Sequence, residues 1–529
     1  MTSLPRLPRL LRAAALTVSL AAGLCLGASA QTRGGTLNLI VQPEPPLLVS
    51  AIQSLGPTQY VAGKIYQGLL RFSPDLKPLP ELARSWKVSA DGRTYTFELE
   101  KGVRWHDGKP FTAADVVFSL GTALPALSGR VRLVKEQHIE SLRAIGDDQV
   151  EVKLKAPFPA FLLVFEVGTL PILPRHIYEG TDYRTNPANQ TPIGTGPFVF
   201  KEWKKGASIR LVRNPDYWRK GQPYLDEVVF HVIPDSASRA IAFEKGQVQA
   251  LRSGDVDNVD IKRLRALPDV EFTTKGWEKF GSVLFLQPNL RNAPLDNVKV
   301  RQAIQHALDR RFIIDHIFFG FGKPTTGPFA SSTLYHDASV LPAYDYNLDK
   351  ARQLIKESGV DVGKRPLNLL GAAYGGAWVR LIEYTKQQLE EIGFQVNVVQ
   401  LDPAGWYKRA SDWDFDLALN FHYQHGDPEL GVAPLYLSSN IAKGTIFGNI
   451  EGYRNPAADA LWAEGGGTTD TAKRKQAYSA VQRIIANDVA VANLFEIENP
   501  TLYRRNVKNL VTTAIGLNES FDNVWIEKP

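Results

Sequence analysis

Within a dozen residues the chain gathers Asn420, His422, Gln424, His425 and Asp427, followed by Pro428. Two imidazoles three positions apart, two amides and a carboxylate could hold a metal, move protons or grip a polar ligand. Structural metal sites need about four ligands, and neither a cysteine nor a third histidine lies nearby, so no metal is expected. The nearby carboxylates Asp414 and Asp416 alternate along an apolar run, which suits the solvent face of a strand better than paired acid–base work. The chain has neither a Gly-x-Ser-x-Gly nucleophile turn nor a His-Glu-x-x-His motif. Gly102 to Lys109 superficially resembles a phosphate loop, but Pro110 stands where a magnesium-holding hydroxyl is needed. No catalytic residue and no cofactor are therefore expected, which leaves hydrogen bonding to a solute. The bland alternative is that Gly426-Asp427-Pro428 is a turn with polar decoration.

The elements that must position this loop are legible in the periodicity. Trp378, Leu381, Ile382, Leu389 and Ile392 line one face of a helix that Gly393 stops, and the strand residues Val396 and Val398 follow. After a helical turn around Trp406, residues 414–421 read as a second strand with Phe415, Leu417, Leu419 and Phe421 on one face. The polar loop thus lies just beyond the C-terminal end of a strand in an α/β lobe, where open sheets bind ligands. Tyr374, Trp378 and Trp406 are the aromatic candidates for a ligand wall, with core packing as the alternative for the tryptophans. The ligand contacts expected are Tyr374, Trp378, Trp406, Asn420, His422, Gln424, His425 and Asp427, all from one lobe. Elsewhere, Tyr95, Phe97 and Leu99 alternate as a half-buried strand, Thr112 can cap a helix through Leu120, and Asp296 can cap a helix with Val300, Ala303, Ile304, Ala307 and Leu308 buried. Gly465 to Thr469 reads as a surface turn between helices.

At the N-terminus, Arg6, Arg9 and Arg12 precede an apolar run from Ala13 to Leu26 and then Ala28-Ser29-Ala30, the three parts of a secretory signal cleaved after Ala30. The only cysteine, Cys25, lies within that run, and Leu24 before it is too large for lipoprotein processing. The mature chain would therefore have no thiol. Basic and acidic side chains number 61 and 55 in the whole chain, and the signal removes three arginines, so no nucleic-acid footprint remains. Roughly 500 residues exceed what a single hydrophobic core supports, so at least two lobes are expected.

Tyr66-Gln67-Gly68-Leu69, Pro80-Glu81-Leu82-Ala83-Arg84-Ser85-Trp86, Gly102-Val103-Arg104-Trp105-His106-Asp107-Gly108, Gly194-Thr195-Gly196-Pro197-Phe198, Arg213-Asn214-Pro215-Asp216-Tyr217-Trp218 and Tyr453-Arg454-Asn455-Pro456 follow one another along the chain. In this order they resemble the family 5 extracellular solute-binding proteins, the dipeptide and oligopeptide binders of ABC importers. The resemblance implies an α/β, two-lobed periplasmic binding protein fold of the large, three-domain type, with a hinge between lobes. It implies a signal peptide over 1–30, lobe I from 31–63, 189–276 and 491–529, an inserted domain II over 64–188 and a lobe III over 277–490. It also implies a periplasmic monomer that is not an enzyme, captures a peptide or peptide-like solute and delivers it to a membrane permease and ATPase complex. In peptide-binding relatives an aspartate holds the ligand ammonium and an arginine its carboxylate; the matching positions here are Gln424 and Ala372. A buried ammonium facing an amide is unfavourable, so a free dipeptide is not the expected ligand. A ligand-presenting sensor or chaperone-like protein, and behind it a hydrolase, are the alternative readings.

Overall fold

In the strand Thr94–Leu99 the side chains of Tyr95, Phe97 and Leu99 alternate into the core as their spacing predicts. This strand belongs to an antiparallel four-stranded sheet with Ala83–Val88, Gln149–Leu154 and Ile139–Ile145. The computed structural model describes residues 31–528 apart from 373–374 and 446–447. The signal segment and Tyr374 thus lie outside the described residues, as does the side chain of Ala372.

Two larger sheets form the lobes. One has seven strands, built around Thr36–Ile40 and its parallel neighbour Glu227–His231. The other has six strands, in the order Gly322–Pro324, Ala492–Ile497, Val283–Pro288, Leu417–His422, Pro366–Ala372 and Gln395–Leu401. Its last three strands run parallel to one another, and their C-terminal ends share one edge. The chain passes from the first lobe to the other between Thr273 and Val283. It returns after Ile497, because Ala492–Ile497 still pairs with Val283–Pro288. The expected return at residue 491 therefore moves to the far end of that strand.

The four-stranded sheet shares one continuous apolar core with the seven-stranded lobe, whereas the six-stranded sheet has separate clusters on its two faces. Gly194 and Gly196 explain why the first pairing is so close. A Cβ at Gly194 would sit 1.8 Å from the Ile65 carbonyl oxygen, and Gly196 N donates to that same oxygen at 2.8 Å. Only a residue without a side chain lets the two backbones approach in this way.

Local readings met four corrections. The helix Val298–Ala307 is capped by Asn297, whose side chain accepts from Lys299 N, and not by Asp296. Thr112 does cap a helix, but the α-helical turn spans Ala113–Phe118 and a wider π turn continues to Ala123. The helix Gly376–Glu390 buries Leu381, Ile382 and Leu389, and Gly393 stops it with φ 99°. The strand after the helix Pro403–Ser411 begins at Leu417, so Phe415 leaves the expected face and packs with Leu370, Trp406, Ala410 and Ala418. Gly465 and Gly466 belong to the last turn of Pro456–Gly466, and only the few residues before Thr471 form the connection.

Candidate functional site

The strand Leu417–His422 points Leu417, Leu419 and Phe421 towards the helices on one side, and Asn420 and His422 to the other. The chain then turns through Tyr423 to Gly426, with His425 in the left-handed region at φ 52°. Gln424 is fully buried, and its backbone N donates to Phe280 O at 2.5 Å in the first crossing segment. The polar loop is therefore bonded directly to the link between the lobes.

Gln424 Nε2 donates to Pro328 O at 3.2 Å and lies 2.8 Å from His422 Nε2. In this arrangement the imidazole accepts at Nε2 and carries its proton on Nδ1, an assignment made from the hydrogen-bond network. Gln424 Oε1 and His422 Nδ1 then have no protein partner among the described residues. Each is a buried polar atom that calls for a polar ligand or water. Burial pushes the His422 pKa down to about 4, while burial and the charges of Arg130 and Lys279 push His425 well below the usual range. Both imidazoles are neutral at physiological pH and offer hydrogen bonds without charge.

Along the same edge runs a ribbon of half-buried rings. Trp378 lies 5.7 Å from Phe421, Phe421 5.4 Å from Tyr423, Tyr423 5.1 Å from Phe280, and Phe280 5.3 Å from Trp277. Of the expected aromatic residues, Trp378 lies on this ribbon. Trp406 does not, being 3% exposed within the cluster of Leu370, Phe415 and Ile450. Phe421, Tyr423, Phe280 and Trp277 were missed because an isolated aromatic in a sequence reads as core.

Two polar candidates also prove structural. Asp427 receives Arg474 Nη2 at 2.9 Å on each carboxylate oxygen and accepts from Glu429 N at 3.1 Å. Arg474 is further tied to Tyr335, Tyr478 and the Gly465 carbonyl, so the aspartate serves as the counter-ion of a buried, fixed arginine. Asn420 Nδ2 donates to Gln287 Oε1, and Gln287 Nε2 donates to Glu451 Oε2, so this amide leads into the lobe interior. Among the described residues no three His, Cys, Asp or Glu side chains converge as metal ligands.

Burial pushes the Glu451 carboxyl from its ordinary 4.5 up to about 8, so the native fold keeps a proton that the unfolded chain releases above about pH 4.5. The stability it contributes is complete below that value and is lost as pH rises through about 8. The E451Q variant removes this titration. Wild type should lose about 3–6 °C more of Tm than E451Q between pH 5 and pH 9 in differential scanning fluorimetry. Parallel curves for the two proteins would place the titration elsewhere.

The loop also faces groups from outside its lobe. Arg130, in the helix Gly129–His138, donates from Nη1 to Leu430 O. Lys279 of the first crossing segment pairs with Glu166 at 2.8 Å and donates to Leu163 O at 2.9 Å. A Cβ at Gly426 would lie 3.1 Å from Leu163 Cδ2. The loop is therefore flanked by side chains from the crossing segment and from the helix Gly129–His138 as well as from its own lobe. Lys279 had a signal, since it is a lysine between aromatic residues; Arg130 had none.

Two α/β lobes joined by two crossing segments, with unpaired polar atoms and half-buried rings at their junction, define a hinged binding protein. The family model for the bacterial extracellular solute-binding proteins, family 5 Middle, matches residues 77–443, and the chain belongs to this family, the solute-binding proteins of ABC importers. It is 28% identical to heme-binding protein A of Haemophilus influenzae over 470 residues, 84% of each chain. It is also 28% identical to the glutathione-binding protein GsiB of Pectobacterium atrosepticum over 441 residues, covering 80% of this chain and 81% of that one. Among solved structures it is similar to the periplasmic binding protein DppA of Helicobacter pylori in complex with the peptide STSA. The TM-score is 0.81 with 25% identity, over 94% of this chain and 99% of that one. The family consists of extracellular and periplasmic binding proteins, and no helix among the described residues is long and apolar enough to cross a membrane.

Proposed function

We propose that the protein captures a peptide-like solute between its lobes in the periplasm and delivers it, as a monomer, to the permease and ATPase of an ABC importer. The signal would be cleaved after Ala30. The unpartnered Gln424 Oε1 and His422 Nδ1 carry this reading, because an amide oxygen can accept from a solute N–H and an imidazole N–H can donate to a solute C=O. His425 and the ring ribbon from Trp378 to Trp277 would bear on the apolar parts of the solute. Where an ammonium-binding aspartate would stand, Gln424 is neutral, and Asp427 is engaged by Arg474. A free dipeptide is therefore disfavoured against longer, capped or side-chain-linked peptides. The relatives reported above are named for haem and glutathione or hold the peptide STSA, so their names do not single out a free dipeptide.

Native mass spectrometry of the mature protein, purified without denaturation, tests the reading. A thermal-shift panel of glutathione, tetrapeptides, capped peptides, haem and free dipeptides would accompany it. A co-purified or stabilising amide-containing solute is the expected result. Micromolar stabilisation by free dipeptides, equal to that by longer or capped ones, would overturn the argument from Gln424.

A further inference from the structure

The charged groups that meet at His425 come from three parts of the chain, and all but one are matched. Glu166 takes Lys279 Nζ at 2.8 Å, Thr169 Oγ1 at 2.6 Å and Gly168 N at 2.7 Å. Asp427 is closed off by Arg474 on both oxygens. Arg130 has no carboxylate within 4 Å among the described residues, and its one protein contact is the Leu430 carbonyl. Burial pulls its pKa down to about 10, and Glu166, already held by Lys279, opposes this only in part. A guanidinium has five N–H donors in a planar fork, and a single carbonyl leaves most of them unused. Of the other groups that interact with it, His425 is neutral and Lys279 is a like charge.

Resting on the reading above that the solute lies between the lobes, we propose that the ligand is anionic and that Arg130, reaching across from the inserted domain, binds its carboxylate when the lobes close. The lobe with the six-stranded sheet then supplies uncharged hydrogen bonds to the amide part, and the domain opposite supplies the only unmatched charge. The ligand carboxylate takes the place of the Leu430 carbonyl and converts a single hydrogen bond into a bidentate, charge-assisted pair. Because the pair forms only when both sides meet, it favours the closed state selectively, as a ligand must if it is to shift a hinge equilibrium.

The test compares N-acetyl-trialanine with its C-terminal amide, and glutathione with its dimethyl ester, on wild type, R130Q and R130K by isothermal titration calorimetry at pH 7. For wild type, at least one free acid should bind about 30-fold or more tightly than its neutral partner. R130Q should lose that discrimination and bind the acid no better than the amide or ester, while R130K should keep part of it. Unchanged Tm values in the absence of ligand would show that the variants are folded. Equal affinity of wild type for acid and neutral partner, or an R130Q variant that still discriminates, would overturn the role of Arg130 and leave solute capture standing. If no probe binds and no solute co-purifies, the capture reading falls and this inference with it.

Discussion

Replacing Asp427 by alanine should cost about 3–5 kcal/mol of stability, because it leaves Arg474 charged, 4% exposed and without a counter-ion. The same change removes the acceptor for Glu429 N at the start of Pro428–Gly431. Glu429 already has a pKa pushed up to about 7 by burial and by the charge of Asp427, so it would become easier to ionise and recover part of the loss. Denaturant unfolding at pH 7 measures the total. The D427N variant keeps an acceptor oxygen and should lose less. If Asp427 instead held the solute, D427A would leave the unfolding midpoint unchanged and weaken ligand binding, which separates the two roles in one preparation.

Replacing Lys279 by methionine should be comparably severe, about 3 kcal/mol or more, since Glu166 would stay buried with only Thr169 and Gly168 as donors. Burial alone pushes the Glu166 carboxyl up, and in the native protein Lys279 outweighs it and holds the group below its ordinary range. This contribution is present above about pH 4.5 and is lost as pH falls, so wild type and K279M should converge in acid. The double variant K279M/E166Q should recover at least half the loss, because no uncompensated charge remains. Additive losses from the two single changes would mean that the pair is not coupled. Lys279 also anchors the crossing segment, and Phe280 beside it accepts from Gln424 N. K279M should therefore weaken solute binding even where the protein remains folded.

Much of the scaffold was readable from local pattern. Alternation at Tyr95, Phe97 and Leu99 and the helical stripe of Leu381, Ile382 and Leu389 each follow from short-range geometry, and the structure uses them accordingly. The misreadings arose where two local solutions were equally good. Asp296 and Asn297 are both competent caps, and Phe415 fits either the end of a strand or a loop packed under Trp406.

The sequence by itself determined the family, and it raised the expectations of a secretory leader over the first thirty residues, of a ligand loop from His422 to Asp427 and of Gln424 in place of an ammonium-binding aspartate. These rest on residue identity and on spacing within a few turns of chain. Only the tertiary structure decided which polar residues were free. Asp427 is taken by Arg474, 47 positions away, whereas Arg130 meets Leu430 across 300 positions and finds no carboxylate within 4 Å among the described residues. A charge is spent or available according to what lies within about 4 Å of it in the fold, and Coulomb attraction between groups so distant along the chain leaves no periodicity in the sequence.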